Sequence, residues 1–160
     1  MKINRLFKWT SICLGCLCLV LILLSIINNR SKKLIQIVNP LTEVKSLEEM
    51  KKYLGYDVPT IKDKKITSYI VIGEGKYATH ARIVYEDESS FEMEKGTNKD
   101  VSGIYGGKLN QKETINNHEV SIYTMEDIIY ATWSDPNYSY SYSMKKVNIS
   151  NFIDNIKLIK

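Results

Sequence analysis

The chain predicts an α+β fold: an N-terminal transmembrane helix, a capped helix, an antiparallel meander of six to seven strands forming a curved sheet, and a C-terminal helix. Three observations carry that prediction. Residues 12–27 form an almost unbroken apolar run, residues 66–144 alternate with period two, and Ile149, Phe152, Ile153, Ile156 and Ile159 return to helical spacing. Helical patterns at the ends with strands between them place the helices over one face of the sheet.

The first element is the membrane segment. Lys2, Arg5 and Lys8 lead into the 16 residues from Ile12 to Ile27, and Arg30, Lys32 and Lys33 close the run. A span needs about 20 apolar residues, with a lower limit near 17. Counting from Trp9 gives 19, with Trp9 at headgroup level, so a short span is feasible. A cleaved signal needs small residues after the run, but the run ends Ser25-Ile26-Ile27-Asn28-Asn29. Leu14-Gly15-Cys16 resembles a lipidation box, yet 11 apolar-run residues follow Cys16. The expectation is an uncleaved signal anchor over residues 1–27, a juxtamembrane linker over 28–40, and a domain over 41–160 outside the cytoplasm. The partner of residues 10–27 is then the membrane, and the chain is a single-pass protein of the cell membrane. The flanking positive charges nearly balance, so orientation rests on the signal-like start.

Charge and cysteine placement narrow the chemistry. The net charge is +4, but from Pro40 onward 16 basic residues face 18 acidic ones, a balance of −2. That excludes a basic nucleic-acid footprint on the globular part. Cys13, Cys16 and Cys18 all lie in the apolar run, so the domain has no disulfide, thiolate nucleophile or cysteine metal site.

Within the domain, Ser46 and Glu49 form a capping box, Leu47, Met50, Tyr53 and Leu54 form one apolar face, and Gly55 stops the helix, which predicts helix 46–54. Residues 66–72 are a β-branched strand. Tyr77 to Tyr85 and the Phe91-Met93 segment read as a hairpin turned at residues 86–89, with Glu92 and Glu94 on its solvated face. Residues 100–107, rich in glycine, read as a loop. Further strands are expected near 108–115, 118–125 and 128–133, then at 138–144, where Tyr and Ser alternate without error after the turn at 135–137. Asn148 or Ser150 caps the last helix.

Three stretches carry a resemblance: NPLTEVKSLEEMKKYLGYDVP (39–59), KDVSGIYGG (99–107) and ATWSDPNYSYSYSM (131–144). With them, residues 39–160 resemble an uncharacterised exported domain of Clostridium-like Gram-positive bacteria. The resemblance implies a fold similar to lipoprotein carriers and to the extracytoplasmic domains of anti-sigma-factor-like proteins; it implies no catalytic residue. Residues 1–9 are too short for a sigma-factor-binding domain, so any sensing must pass through another protein.

Two residue sets are candidate sites. Tyr130, Trp133, Tyr138, Tyr140 and Tyr142 supply flat apolar rings with polar ends, suited to a peptide, sugar or acyl chain if facing strands align them in a row. The competing reading is half-buried sheet residues under the helices. Asp100, Ser102 and Gly103 form a polar loop, for which the competing reading is an Asx-type turn. His80 and His118 lack ligand-like neighbours at metal spacing and read as strand residues. No nucleophile elbow, Walker loop, HExxH or EF-hand pattern is present. The expectation is a non-enzymatic binding domain, without cofactor or metal, that takes an envelope protein, peptide or lipid-like partner on its sheet. The alternative is a structural or regulatory subunit of an envelope complex that acts through its span.

Overall fold

The computed structural model describes residues 41–73, 78–145 and 148–160. All belong to one of the chain's two compact units, Asn39–Lys160. The expected anchor and linker, residues 1–40, lie outside the described residues. Among the described residues no helix is long and apolar enough to cross a membrane.

Eight strands form one antiparallel sheet: β1 (Leu41–Val44), β2 (Ile66–Ile72), β3 (His80–Tyr85), β4 (Ser90–Lys95), β5 (Lys108–Ile115), β6 (His118–Met125), β7 (Ile128–Ser134) and β8 (Tyr138–Lys145). Two helices accompany it, α1 (Leu47–Leu54) and α2 (Ile149–Lys157). The strand order is β1-β2-β3-β4-β8-β7-β6-β5. The expected single meander of six to seven strands is therefore corrected to two four-stranded meanders joined through their last strands, β4 and β8. The extra strand is β1, at the sheet edge.

The local signals work as their chemistry requires. Ser46 Oγ accepts from the Glu49 N–H at 3.2 Å, while the Glu49 carboxylate reaches back to the Lys45 N–H at 2.8 Å, one residue earlier than a capping box directs it. Gly55 has φ +78°, the left-handed conformation that closes α1 with a bond to the Lys51 carbonyl. The Asn116-Asn117 turn has positive φ at both residues, and the Glu126-Asp127 turn has φ +52° at Glu126. These tight turns set the registers Ile115↔His118 and Met125↔Ile128.

Both helices pack on one sheet face. Met50 of α1 and Phe152, Ile153 and Ile156 of α2 share a core with Val71, Ile83, Phe91, Met93, Ile122, Ala131 and Tyr142. Each fully buried Val, Ile, Met or Phe among them contributes about 1.5–3 kcal/mol. The chain end is tied across this face by Thr60 and Lys160, which exchange backbone hydrogen bonds at 3.0 and 3.1 Å.

One cation enters the same core. Lys64 Nζ donates to Asp87 at 2.6 Å, to the Tyr142 hydroxyl at 2.9 Å and to Ser89 Oγ at 3.2 Å, and lies 5.5 Å from the Tyr142 ring centre. Burial pushes its pKa down, but the bonds to Asp87 and Tyr142 outweigh burial and hold the ammonium above the ordinary lysine value.

Candidate functional site

Strand β8 separates the two faces. In its Tyr-Ser alternation, Tyr138, Tyr140 and Tyr142 point toward the helices and Ser139, Ser141 and Ser143 point away. The registers Trp133↔Tyr140 and Ala131↔Tyr142 place Trp133 with the tyrosines and Tyr130, three residues earlier, on the opposite face. The structure thus splits the expected aromatic row.

Four members lie on the helix side. Tyr142 is fully buried and stacks on Phe152 at 5.3 Å, so it is core. Trp133 and Tyr140 stack at 5.5 Å with an interplanar angle of 13°, and Tyr138 packs on Tyr56 at 5.0 Å. The Tyr140 hydroxyl donates to Asp135 Oδ2 at 2.5 Å. Burial, then the Asp135 carboxylate, pushes the Tyr140 hydroxyl above the ordinary tyrosine range. Burial works to raise Asp135, but bonds from Tyr140, Asn137 N–H and Tyr138 N–H hold it below the usual carboxylate value. Beside Trp133 and Tyr140 is a small cavity of about 160 Å³, lined also by Ile156, Ile159 and His118.

Tyr130 belongs to a different place. The chain between β4 and β5, residues 96–107, crosses the outer face from the sheet centre to the far edge. Its start is pinned by serines: Lys99 N–H donates to Ser139 Oγ at 2.9 Å, Ser139 Oγ donates to the Gly96 carbonyl at 2.8 Å, and Asn98 N–H donates to Ser134 Oγ at 3.1 Å. Val101 of this strap and Ser139 of β8 are buried, outside the helix-side cluster. Farther on, Gly107 lies against the Tyr130 ring, where a Cβ would stand 2.3 Å from the hydroxyl; only glycine permits that approach.

Between the strap and strands β6 and β7 lies a groove of about 590 Å³. Tyr123 and Tyr130 form its floor, stacked at 5.0 Å with an interplanar angle of 12°. Ser121, Thr132 and Ser134 line it with hydroxyls, and Asn98, Asp100 and Glu119 stand at its sides. Tyr105 lines it at 80% exposure, the most exposed large hydrophobic side chain among the described residues. Burial, then the Asp100 carboxylate, raises the Tyr130 hydroxyl pKa above its ordinary value.

The polar loop set is divided as well. Asp100 lines the groove, but its Oδ1 accepts from Ser102 N–H at 3.0 Å and from Ser102 Oγ at 2.6 Å, the turn of the competing reading. Ser102 is buried within that turn, and Gly103 carries φ +62° at an exposed corner.

Glu92 is a correction. It is 4% exposed, where a solvated face was expected. Its Oε2 sits 2.8 Å from His80 Nε2 and 3.2 Å from an Arg82 terminal nitrogen. Arg82 Nε lies 3.1 Å from Oε1, within ion-pair range but off the hydrogen-bond line. Alternation reports only which face a residue occupies, and the outer face is itself partly covered. Among the described residues no group of three His, Cys, Asp or Glu is placed to hold a metal ion.

Tyr105, Tyr123 and the hydroxyl lining were not singled out by sequence. One signal was available: a two-residue turn at Glu126-Asp127 pairs Met125 with Ile128 and hence Tyr123 with Tyr130. No known protein family, curated protein or solved structure matches the chain.

Proposed function

We propose that the chain is a membrane-anchored extracytoplasmic binding domain, without catalytic activity, that holds its partner in the groove on the outer sheet face. The observation that carries this reading is a groove of about 590 Å³, a volume within the range of ligand sites, with a stacked tyrosine floor and a strap hydrogen-bonded in place. The anchor follows from the apolar run at residues 12–27, and the resemblance to exported Gram-positive domains supports the same address.

The groove is preferred over the helix-side aromatics because Tyr142 is already spent on the core and the cavity beside Trp133 and Tyr140 holds only about 160 Å³. A photoreactive phenylalanine placed at Tyr105 in the full-length protein in cells tests it, with Lys52 on the exposed side of α1 as the control position. An adduct confined to position 105 is expected. Equal labelling at both positions, or none, overturns the groove as the binding site.

A further inference from the structure

Resting on the groove reading above, we infer that its ligand is a neutral saccharide. Three features of the groove select that class over peptides, lipids and charged glycans.

The first is the floor. Tyr123 stacks on Tyr130, which is 5% exposed, so the open aromatic surface at the groove is the free side of Tyr123 together with the exposed Tyr105. A pyranose presents flat C–H faces to such rings and hydroxyls at its edge. The lining answers the hydroxyls with donors and acceptors at Ser121, Thr132 and the Asn98 side chain, whereas Ser134 Oγ is already bonded to Asn98 N–H and Ser139. An acyl chain would offer the Ser121 and Thr132 hydroxyls no bond, a cost that disfavours lipid.

The second is the backbone beneath the ligand. β6 is paired with β5 and β7, and β7 with β6 and β8, so the floor presents no unpaired strand edge. A peptide bound there forfeits the main-chain ladder that gives extended peptides their affinity.

The third is charge. Lys99 is the cation at the groove, and its ammonium pairs with Glu94. Asp100 and Glu119 remain as the groove's carboxylates, Glu119 paired 2.8 Å from Lys112. With its cation already paired, the groove lacks the arginine or lysine fork that recognises carboxylate or sulfate sugars.

The test uses full-length protein in detergent, labelled with 3-fluorotyrosine and followed by ¹⁹F NMR. The probes are cellotetraose and chitotetraose as neutral saccharides, a polygalacturonate fragment as the anionic one, and a flexible Gly-Ser-Thr decapeptide. Saturable shifts of the Tyr105, Tyr123 and Tyr130 signals with a neutral tetrasaccharide are expected, with Tyr105→Ala weakening the apparent Kd about tenfold. Tyr105 is exposed, so this variant leaves the core intact. If neither neutral saccharide shifts these signals while the decapeptide or the anionic fragment does, the saccharide class is overturned and the groove stands. If no probe shifts them but the photoreactive residue at position 105 still gives its confined adduct, the saccharide class is again overturned and the groove stands. If the adduct is also lost, both fall.

Discussion

The two faces of the sheet are both covered, but by opposite chemistry. On the helix side, α1 and α2 bury apolar side chains, and Phe152 and Tyr142 are in stacked contact with no exposed surface. On the outer side, the 96–107 strap is held by hydrogen bonds to Ser134 and Ser139, and it leaves a polar groove beside it. Apolar burial is non-directional and closes space, whereas hydrogen bonds fix a segment at points and leave room between them. Stability is concentrated on the first face, and the proposed binding lies on the second.

The largest expected effect breaks the helix side. Phe152→Ala removes a fully buried ring against Tyr142 and should lower the unfolding free energy by about 3–5 kcal/mol, measured by urea denaturation. A loss under about 1 kcal/mol would mean that α2 contributes little to the core. Next comes the strap. Ser139→Ala leaves Lys99 N–H and the Gly96 carbonyl without their partner, for a loss of about 1–3 kcal/mol. Hydrogen exchange should speed up at residues 96–101 while the protection of α2 is unchanged. Equal acceleration in both places would show that the faces are not separable.

A third expectation concerns pH. Burial pushes the Tyr85 hydroxyl up to about 12, although its bond from Ile61 N–H acts the other way. The unfolded value is about 10. Because the folded value is raised, the native state retains this proton longer. Its contribution is intact below about pH 10 and is lost as pH rises through about 12. Tyr85→Phe should cost about 1 kcal/mol at neutral pH, through the lost 3.0 Å bond from Ile61 N–H, and should make the alkaline fall in stability shallower. An unchanged alkaline slope would remove Tyr85 from that account. The smallest stability effect belongs to Tyr105→Ala, expected within about 0.5 kcal/mol of the parent in the same urea titration. A larger loss would make Tyr105 structural and blur the division of labour between the faces.

Much of the fold was legible because its signals are local. The Ser46 cap, the Gly55 stop, the β2 bounds and the tight turns at 116–117 and 126–127 depend on residues within a few positions of each other. The aromatic set was legible as sheet residues but not as one row, since Tyr130 and Trp133 are an odd number of positions apart and period two sends them to opposite faces. Glu92 was misplaced in solvent for a related reason: its neighbours His80 and Arg82 come from the next strand.

The amino-acid sequence by itself determined the antiparallel α+β class, the boundaries of most elements, the absence of thiols from the domain and the common face of the β8 tyrosines. Propensity, capping and alternation are short-range properties, so no partner strand is needed to read them. Only the tertiary structure decided that β4 pairs with β8, bringing Phe91 beside Tyr142, and that the 96–107 segment must therefore cross the outer face to reach β5. That crossing makes the groove. It depends on contacts between residues some forty positions apart, such as Lys99 with Ser139, and chain-local patterns carry no information about them.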